Sequence, residues 1–391
     1  MSRQTVTIEK LVFGGMGLAR TSQGIIFVSD VAPGETVAIE PCGKKGGVTI
    51  ARPVKVIEPS PSRRDPPCVL AGVCGGCDLL HIGYKTQVEC KKEMFIDCMR
   101  RLGRIESLPS IEVIAAEEFG YRHRAQIKID TNGNAGFFAR RTNNVVPVRR
   151  CPLLVEALNS LLADLSGKRR ALPRSLKNLL IVAGDNGSIA SYPVIAGLTA
   201  ERVTITVGNR TFEVQAKGFF QNNRPLLERL GTWAHDYVGG NFCVDLYGGS
   251  GFFSVMLADR FRQGLLIESI DKQVTGARAN FERNAMGHFI AREGAAEQML
   301  RLAGPRHVDC LIVDPPRPGL TEKVRQSIAA LKPETILYVS CNPSTQARDA
   351  GFLVNTAAYA VTRAALFDLY PNTHHIESLL LLENKGKEQQ N

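Results

Sequence analysis

FCVDLYGGSGFFSVMLA, residues 242–258, reads as a buried strand, a glycine turn and the start of a helix. A short apolar run bounded by glycines is the pattern of a strand covered on both faces, and the strand–glycine–helix step opens a doubly wound α/β sheet. The turn lacks the full G-x-G-x-x-G of a pyrophosphate-binding loop. That points away from a dinucleotide and toward a nucleoside cofactor such as S-adenosylmethionine.

Downstream, GLLIES (264–269) supplies a second strand ending in Glu268, a carboxylate placed to accept hydrogen bonds from ribose hydroxyls. HVDCLIVDPPRPGL (307–320) and ETILYVSCNP (334–343) supply two more, with Asp314 and Cys341 at their carboxyl ends. Ligands of open α/β sheets bind at that edge, so Asp314 and Cys341 are expected to face one crevice. A lone cysteine is ordinarily a small packing residue. Cys341 instead stands where a strand stops and a proline turns the chain.

Upstream the pattern differs. TVTIEKLVFGGMGLARTSQGIIFVSDVAPGETVAIEP (5–41) and GGVTIARPVKVIEP (46–59) are short β-branched runs broken by turn residues. They predict a small antiparallel barrel of about five strands ending near Pro61, with PSPSRRDPP (59–67) as a stiff linker. PCVLAGVCGGCDLLH (67–81) then sets Cys68, Cys74 and Cys77 in a C-x5-C-x2-C array, with Gly75 and Gly76 permitting a tight turn. Three thiols so spaced suit one metal centre, and Cys151, before Pro152, is the leading fourth ligand. Zinc and an iron–sulfur cluster both accept four thiolates. Cys42, Cys90, Cys98, Cys243 and Cys310 lack such spacing and are expected to be packing residues.

The chain has 391 residues, 44% of them hydrophobic, enough for two or three cores. No apolar stretch has the length of a membrane span and the N-terminus lacks a signal-peptide core, which predicts a soluble cytoplasmic protein with no membrane partner. Ten cysteines in that compartment argue for thiol or metal chemistry over a disulfide scaffold. The net charge is +10; residues 1–150 carry 22 Lys+Arg against 15 Asp+Glu, so +7 of it lies there. That bias suits a polyanionic partner. YKTQVECKKEMFIDCMRRLGRI (84–105) has a helical period with a basic open side, and Tyr121, Phe137 and Phe138 lie among arginines in a pattern suited to phosphates and stacked bases.

GFFQNN (218–223), DLYGGSG (245–251), DPPRPGL (314–320), YVSCNPSTQARD (338–349) and HHIESLLLLE (374–383), taken in order, resemble the S-adenosylmethionine-dependent RNA uracil-5-methyltransferases, and the likeness covers nearly the whole chain. The resemblance implies an α/β fold with three domains: a TRAM-like (OB-like) β-barrel over 1–61, a central α+β RNA-binding and iron–sulfur domain over 62–215, and a Rossmann-like methyltransferase domain over 216–391. It implies that Cys341 is the nucleophile and Glu377 the base, with His374 and His375 ranked below it. Gln221, Tyr247, Glu268 and Asp314 become the contacts to S-adenosylmethionine. Cys68, Cys74, Cys77 and Cys151 become the ligands of a [4Fe–4S] cluster. Two departures stand out: Gly248, where family members commonly have a cysteine and the turn is expected to tolerate either, and Gly294, where they have Asn or Asp facing the adenine.

Carbon 5 of uracil is a poor nucleophile; a thiolate added at carbon 6 makes it an enolate carbon able to accept a methyl group. A carboxylate then removes the carbon 5 proton so that the thiol can leave. The uracil must be unstacked for both faces to be reached. The barrel and cluster together resemble enzymes acting on 23S rRNA, with no obligate protein partner evident. The alternatives are a tRNA uracil-5-methyltransferase and a non-catalytic iron–sulfur RNA-binding protein. A cytosine-5 enzyme is disfavoured because its nucleophilic cysteine is expected in the turn after Asp314, which here reads PPRPG.

Overall fold

The computed structural model describes residues 4–167 and 175–387. The chain divides into two compact units, one of residues 1–97, 137–146 and 370–375, the other of 98–136, 147–369 and 376–391.

In the first unit, β1 (Gln4–Thr7), β2 (Lys10–Val12), β3 (Met16–Thr21), β4 (Gly24–Val28), β5 (Thr36–Lys45) and β6 (Val48–Glu58) form one six-stranded sheet in the order β1-β5-β6-β4-β3-β2. The β4–β6 pairing is parallel and the rest are antiparallel. The sixth strand arises because the first run breaks in two at Ile8, whose buried side chain joins a core with Val28, Val37 and Ile39. The linker is tied back to the sheet: the Arg63 guanidinium donates to the fully buried Glu35 carboxylate, Nη2 to Oε2 at 2.8 Å. The helix α1 (Tyr84–Arg101) forms as the periodicity predicts. Lys91 departs from its basic open side, being buried with Nζ donating to the Tyr370 carbonyl at 2.9 Å.

The second unit contains β7 (Ile111–Ile114), β8 (Arg124–Ile129), the first half of β9 (Ala135–Phe138), α2 (Glu156–Ser166), β10 (Asn178–Ala183), β11 (Ile189–Tyr192), β12 (Arg202–Val207) and β13 (Arg210–Gln215). β8, β10 and β11 pair antiparallel, and β12 and β13 make a hairpin. Tyr121, expected to meet bases, is fully buried here and is a core residue.

Next come α3 (Leu227–Tyr237), β14 (Gly240–Leu246), α4 (Phe252–Met256), β15 (Phe261–Glu268), α5 (Asp271–Arg283), β16 (Phe289–Glu293), α6 (Met299–Ala303), β17 (Cys310–Val313), α7 (Glu322–Leu331), β18 (Thr335–Ser340), α8 (Pro343–Thr356), β19 (Tyr359–Phe367) and β20 (Glu377–Asn384). With β7 they build an eight-stranded sheet in the order β16-β15-β14-β17-β18-β20-β19-β7. The five strands from β16 to β18 are parallel, and β20 runs antiparallel between β18 and β19. Val244, Leu246, Leu311, Ile312, Leu337 and Val339 are wholly buried, as runs covered on both faces should be. The strand order reverses at β14, so the β14 turn opens the crevice in which such sheets bind ligands.

Candidate active site

β17 and β18 are parallel neighbours, so Asp314 and Cys341, each just past its strand, emerge at the same edge. β20 runs back along β18 with Ser340 opposite Ser378, and that register sets Glu377 across from Cys341. Gln346 of α8 locks the two strand ends together. Its Nε2 donates to the carbonyls of Tyr338 (3.0 Å) and Ser378 (3.2 Å), and its Oε1 accepts from the Ser378 hydroxyl at 2.7 Å.

The turn after Cys341 is fixed as firmly. Asn342 caps α8, its Oδ1 accepting from the Ser344 amide at 3.1 Å, and its Nδ2 donates to the Arg317 carbonyl at 2.9 Å. Thr345 Oγ1 donates to the same carbonyl at 3.1 Å, and Arg348 Nη2 donates to the carbonyls of Pro318 and Leu320 at 3.0 and 3.1 Å. Asp349, fully buried, accepts from the Leu320 amide at 2.8 Å, the Tyr338 hydroxyl at 2.7 Å and Arg325 Nη1 at 2.7 Å. One face of α8 thus holds residues 317–320 of the loop after Asp314, Arg317 among them.

Burial pushes the Cys341 thiol up to about 11; Glu377 and Asp314 push the same way, and Arg317, hydrogen-bonded to the thiol, opposes them. Burial, with Asp245 beside it, raises Asp314 to about 7. Burial and then Asp314 hold Glu377 well above the ordinary carboxylate range. Three acids crowded into one dry recess cannot all ionise, so the free site retains protons. With the thiol raised in the free site, its proton has to be removed as the ring docks.

On the cofactor side, Tyr247 takes a left-handed conformation, φ 62°, uncommon for a side chain of that size. The Glu268 carboxylate accepts from the amides of Gly249 (3.1 Å) and Ile270 (2.8 Å), so it braces the glycine turn while keeping lone pairs for a hydroxyl. Gln221 is buried, its Nε2 donating to Asp314 Oδ2 at 3.4 Å and its Oε1 having no partner among the described residues. A buried acceptor left open beside an acidic group fits a ligand that brings a cationic donor, as the amino acid end of S-adenosylmethionine does.

The two glycine departures have packing reasons. A Cβ at Gly248 is set 2.5 Å from Leu266 Cγ, so this turn does not tolerate a cysteine unless Leu266 moves. At Gly294 a Cβ meets Leu302 Cδ1 at 2.6 Å, so Leu302 fills the space a side chain there would need.

Cys68, Cys74 and Cys77 lie in the first unit and Cys151 in the second. All four are partly exposed, as is Cys341, whereas Cys90, Cys98, Cys243 and Cys310 are buried. Cys42, expected to pack, is exposed on β5. Thiols kept out of the core suit metal ligation. Among the described residues, the group whose ligand atoms lie within 4.8 Å of one another is His307, Asp309 and Glu334, at the amino ends of β17 and β18, the opposite edge from Cys341. No helix of the described residues is long and apolar enough to cross a membrane.

Five parallel strands followed by the antiparallel β20, with acidic groups at the carboxyl edge, make a Rossmann-like methyltransferase fold. The tRNA (uracil-54, C5)-methyltransferase of Pyrococcus abyssi, solved with S-adenosyl-L-homocysteine, shares it at a TM-score of 0.76 and 22% identity, covering 97% of this chain and 100% of that one. Residues 197–385 match the family described as tRNA (Uracil-5-)-methyltransferase. The 23S rRNA (uracil(1939)-C(5))-methyltransferase RlmD of Halomonas elongata is 31% identical, covering 98% of this chain and 90% of the relative. An uncharacterized RNA methyltransferase of Aquifex aeolicus is also 31% identical, covering 97% and 98%. The chain belongs to the RNA uracil-5-methyltransferase family.

Three residues that sequence reasoning missed are Arg317, Gln346 and Asp349. Each lies inside a quoted motif, and the available signal was polarity: an arginine between prolines, and a glutamine and aspartate on a helix that follows a buried strand.

Proposed function

We propose that this protein methylates carbon 5 of a uridine in 23S rRNA through a covalent bond between Cys341 and carbon 6 of the base. The observation that carries the reading is the β18–β20 register, which opposes Cys341 and Glu377 beside Asp314. The 23S target draws support from the Halomonas elongata relative. The TRAM-like barrel over 1–61, the central iron–sulfur domain over 62–215 and the methyltransferase domain over 216–391 are part of the same proposal, as is a cytoplasmic site of action.

Gln221, Tyr247, Glu268 and Asp314 hold S-adenosylmethionine, which supplies an electrophilic methyl group. Cys341 gives up its proton to solvent as the uracil enters, and the sulfur bonds to carbon 6. The electron pair moves to carbon 5, which becomes the nucleophile. Glu377 takes the carbon 5 proton after methylation; the returning pair expels the sulfur, and Arg317 stabilises it as it leaves. For Glu377 to act as base it must be ionised, so product formation is expected to rise with pH.

Cys68, Cys74, Cys77 and Cys151 would hold the [4Fe–4S] cluster. Mapping 5-methyluridine across total RNA from cells with and without the protein tests the reading: loss of one position in 23S rRNA is expected, and loss in tRNA instead assigns the alternative substrate.

A further inference from the structure

In the second unit, a cavity of about 260 Å³ opens between β13 and the start of α5. Arg202, Lys217, Phe219, Ile270 and Lys272 line it, together with Ser250 of the glycine turn. Val214 at its wall is buried, but two of its apolar side chains stand out of the core: Phe219 is 54% exposed and Ile270 58%. Tyr192, 49% exposed, extends the rim, with Lys217 Nζ 4.5 Å from its ring centre.

Charge decides what such a patch takes. Arg202 is paired with Glu213 at 2.6 Å. Among the described residues neither Lys217 nor Lys272 is in an ion pair, so no acidic group offsets either charge, and Lys217 lies against the half-exposed Tyr192 ring. Flat apolar faces interleaved with unpaired lysines are the chemistry of a single-stranded nucleic acid groove: the rings stack bases and the ammonium groups meet phosphates. A protein partner of mixed charge has no use for two uncompensated lysines, and a purely apolar ligand has none either.

We propose that this cavity and its Tyr192–Lys217 rim bind a nucleotide of the RNA strand flanking the target uridine. The proposal rests on the function argued above and adds a grip within the catalytic unit, separate from the basic N-terminal half. Phe219 stands two residues before Gln221, and Ser250 three after Tyr247, so the strand enters beside the cofactor turn.

The test is binding of fluorescein-labelled oligouridylate of about twelve nucleotides to the full-length protein by anisotropy over a salt series. Tyr192→Ala is expected to weaken binding about tenfold while Tyr192→Phe stays near wild type. Lys217→Ala and Lys272→Ala are each expected to lower the slope of log K against log salt by about 0.7. Affinity for S-adenosylmethionine and the thermal midpoint should not move. Unchanged RNA binding and slope in all three alanine variants overturn the proposal, as does a loss of S-adenosylmethionine affinity with RNA binding intact, which makes the cavity a cofactor subsite. If the wild-type protein methylates no RNA yet the variants lose oligouridylate, the groove stands and the uridine reading falls; methylation with unaffected binding does the reverse.

Discussion

The Asn342 side-chain amide donates to the Arg317 carbonyl at 2.9 Å, tying the turn after the nucleophile to the loop after Asp314. Arg317 is in turn the group that opposes the rise of the Cys341 pKa. Removing it should make the thiol harder to ionise. The rate of Cys341 alkylation by iodoacetamide should climb with pH through a midpoint of about 11 in the free protein. In Arg317→Ala that midpoint is expected to move higher, with Arg317→Lys in between. An unmoved midpoint separates Arg317 from the thiol.

Glu377 faces Cys341 across β18 and β20. If it removes the carbon 5 proton, Glu377→Gln should stop after methyl transfer, accumulating methylated RNA bound to protein while turnover falls on the order of 10²- to 10⁴-fold. Denaturing electrophoresis with labelled methyl groups reads this out. Normal turnover assigns the base elsewhere.

Tyr338 donates to the buried Asp349 carboxylate at 2.7 Å. Deleting that hydroxyl removes a hydrogen bond to a charged acceptor, so Tyr338→Phe is expected to lose roughly 1.5–3 kcal/mol in urea unfolding. A loss within error makes Asp349 indifferent to that donor.

Burial raises Asp245 to about 7 and Asp314 to about 7. An unfolded aspartate releases its proton near pH 4, so between roughly pH 4 and 7 the native state binds more protons. The stability these groups contribute is full below that window and is lost as pH rises through it. The urea midpoint should therefore fall between pH 5 and pH 8, and fall less in Asp245→Asn. An equal fall in both proteins removes Asp245 from the effect.

If the four partly exposed cysteines hold a cluster, anaerobically purified protein should contain about four iron and four sulfide per chain and absorb in the visible. Cys151→Ser should lose most of both. Stoichiometric zinc without sulfide replaces the cluster with a zinc site.

The legible parts of the sequence were those with local signals. FCVDLYGG, LIVDPP and YVSCNP each pair an apolar run with a polar strand-end residue, and that pairing located Asp314 and Cys341 at one edge. Glu377 was different. It lies 36 residues beyond Cys341 in the chain, and only the antiparallel return of β20 brings it back; no spacing rule announces such a pairing, so the family likeness had to supply it. β7 was missed for the same reason, a four-residue strand whose partner β19 lies far along the chain. Burial misled in both directions: Lys91 and Tyr121 turned inward and Cys42 outward, because which face a side chain takes is settled by distant packing rather than by its neighbours in sequence.

The transient bond from sulfur to the pyrimidine is best captured with RNA in which the target is 5-fluorouridine, since fluorine cannot leave as a cation and the adduct persists. Incubated with S-adenosylmethionine, the wild-type protein should give a denaturation-resistant complex whose peptide mass places the nucleotide on Cys341, and Cys341→Ala should give none. A Cys341→Ala protein that still traps the RNA, or that still methylates uridine, contradicts the assignment of this thiol as the nucleophile.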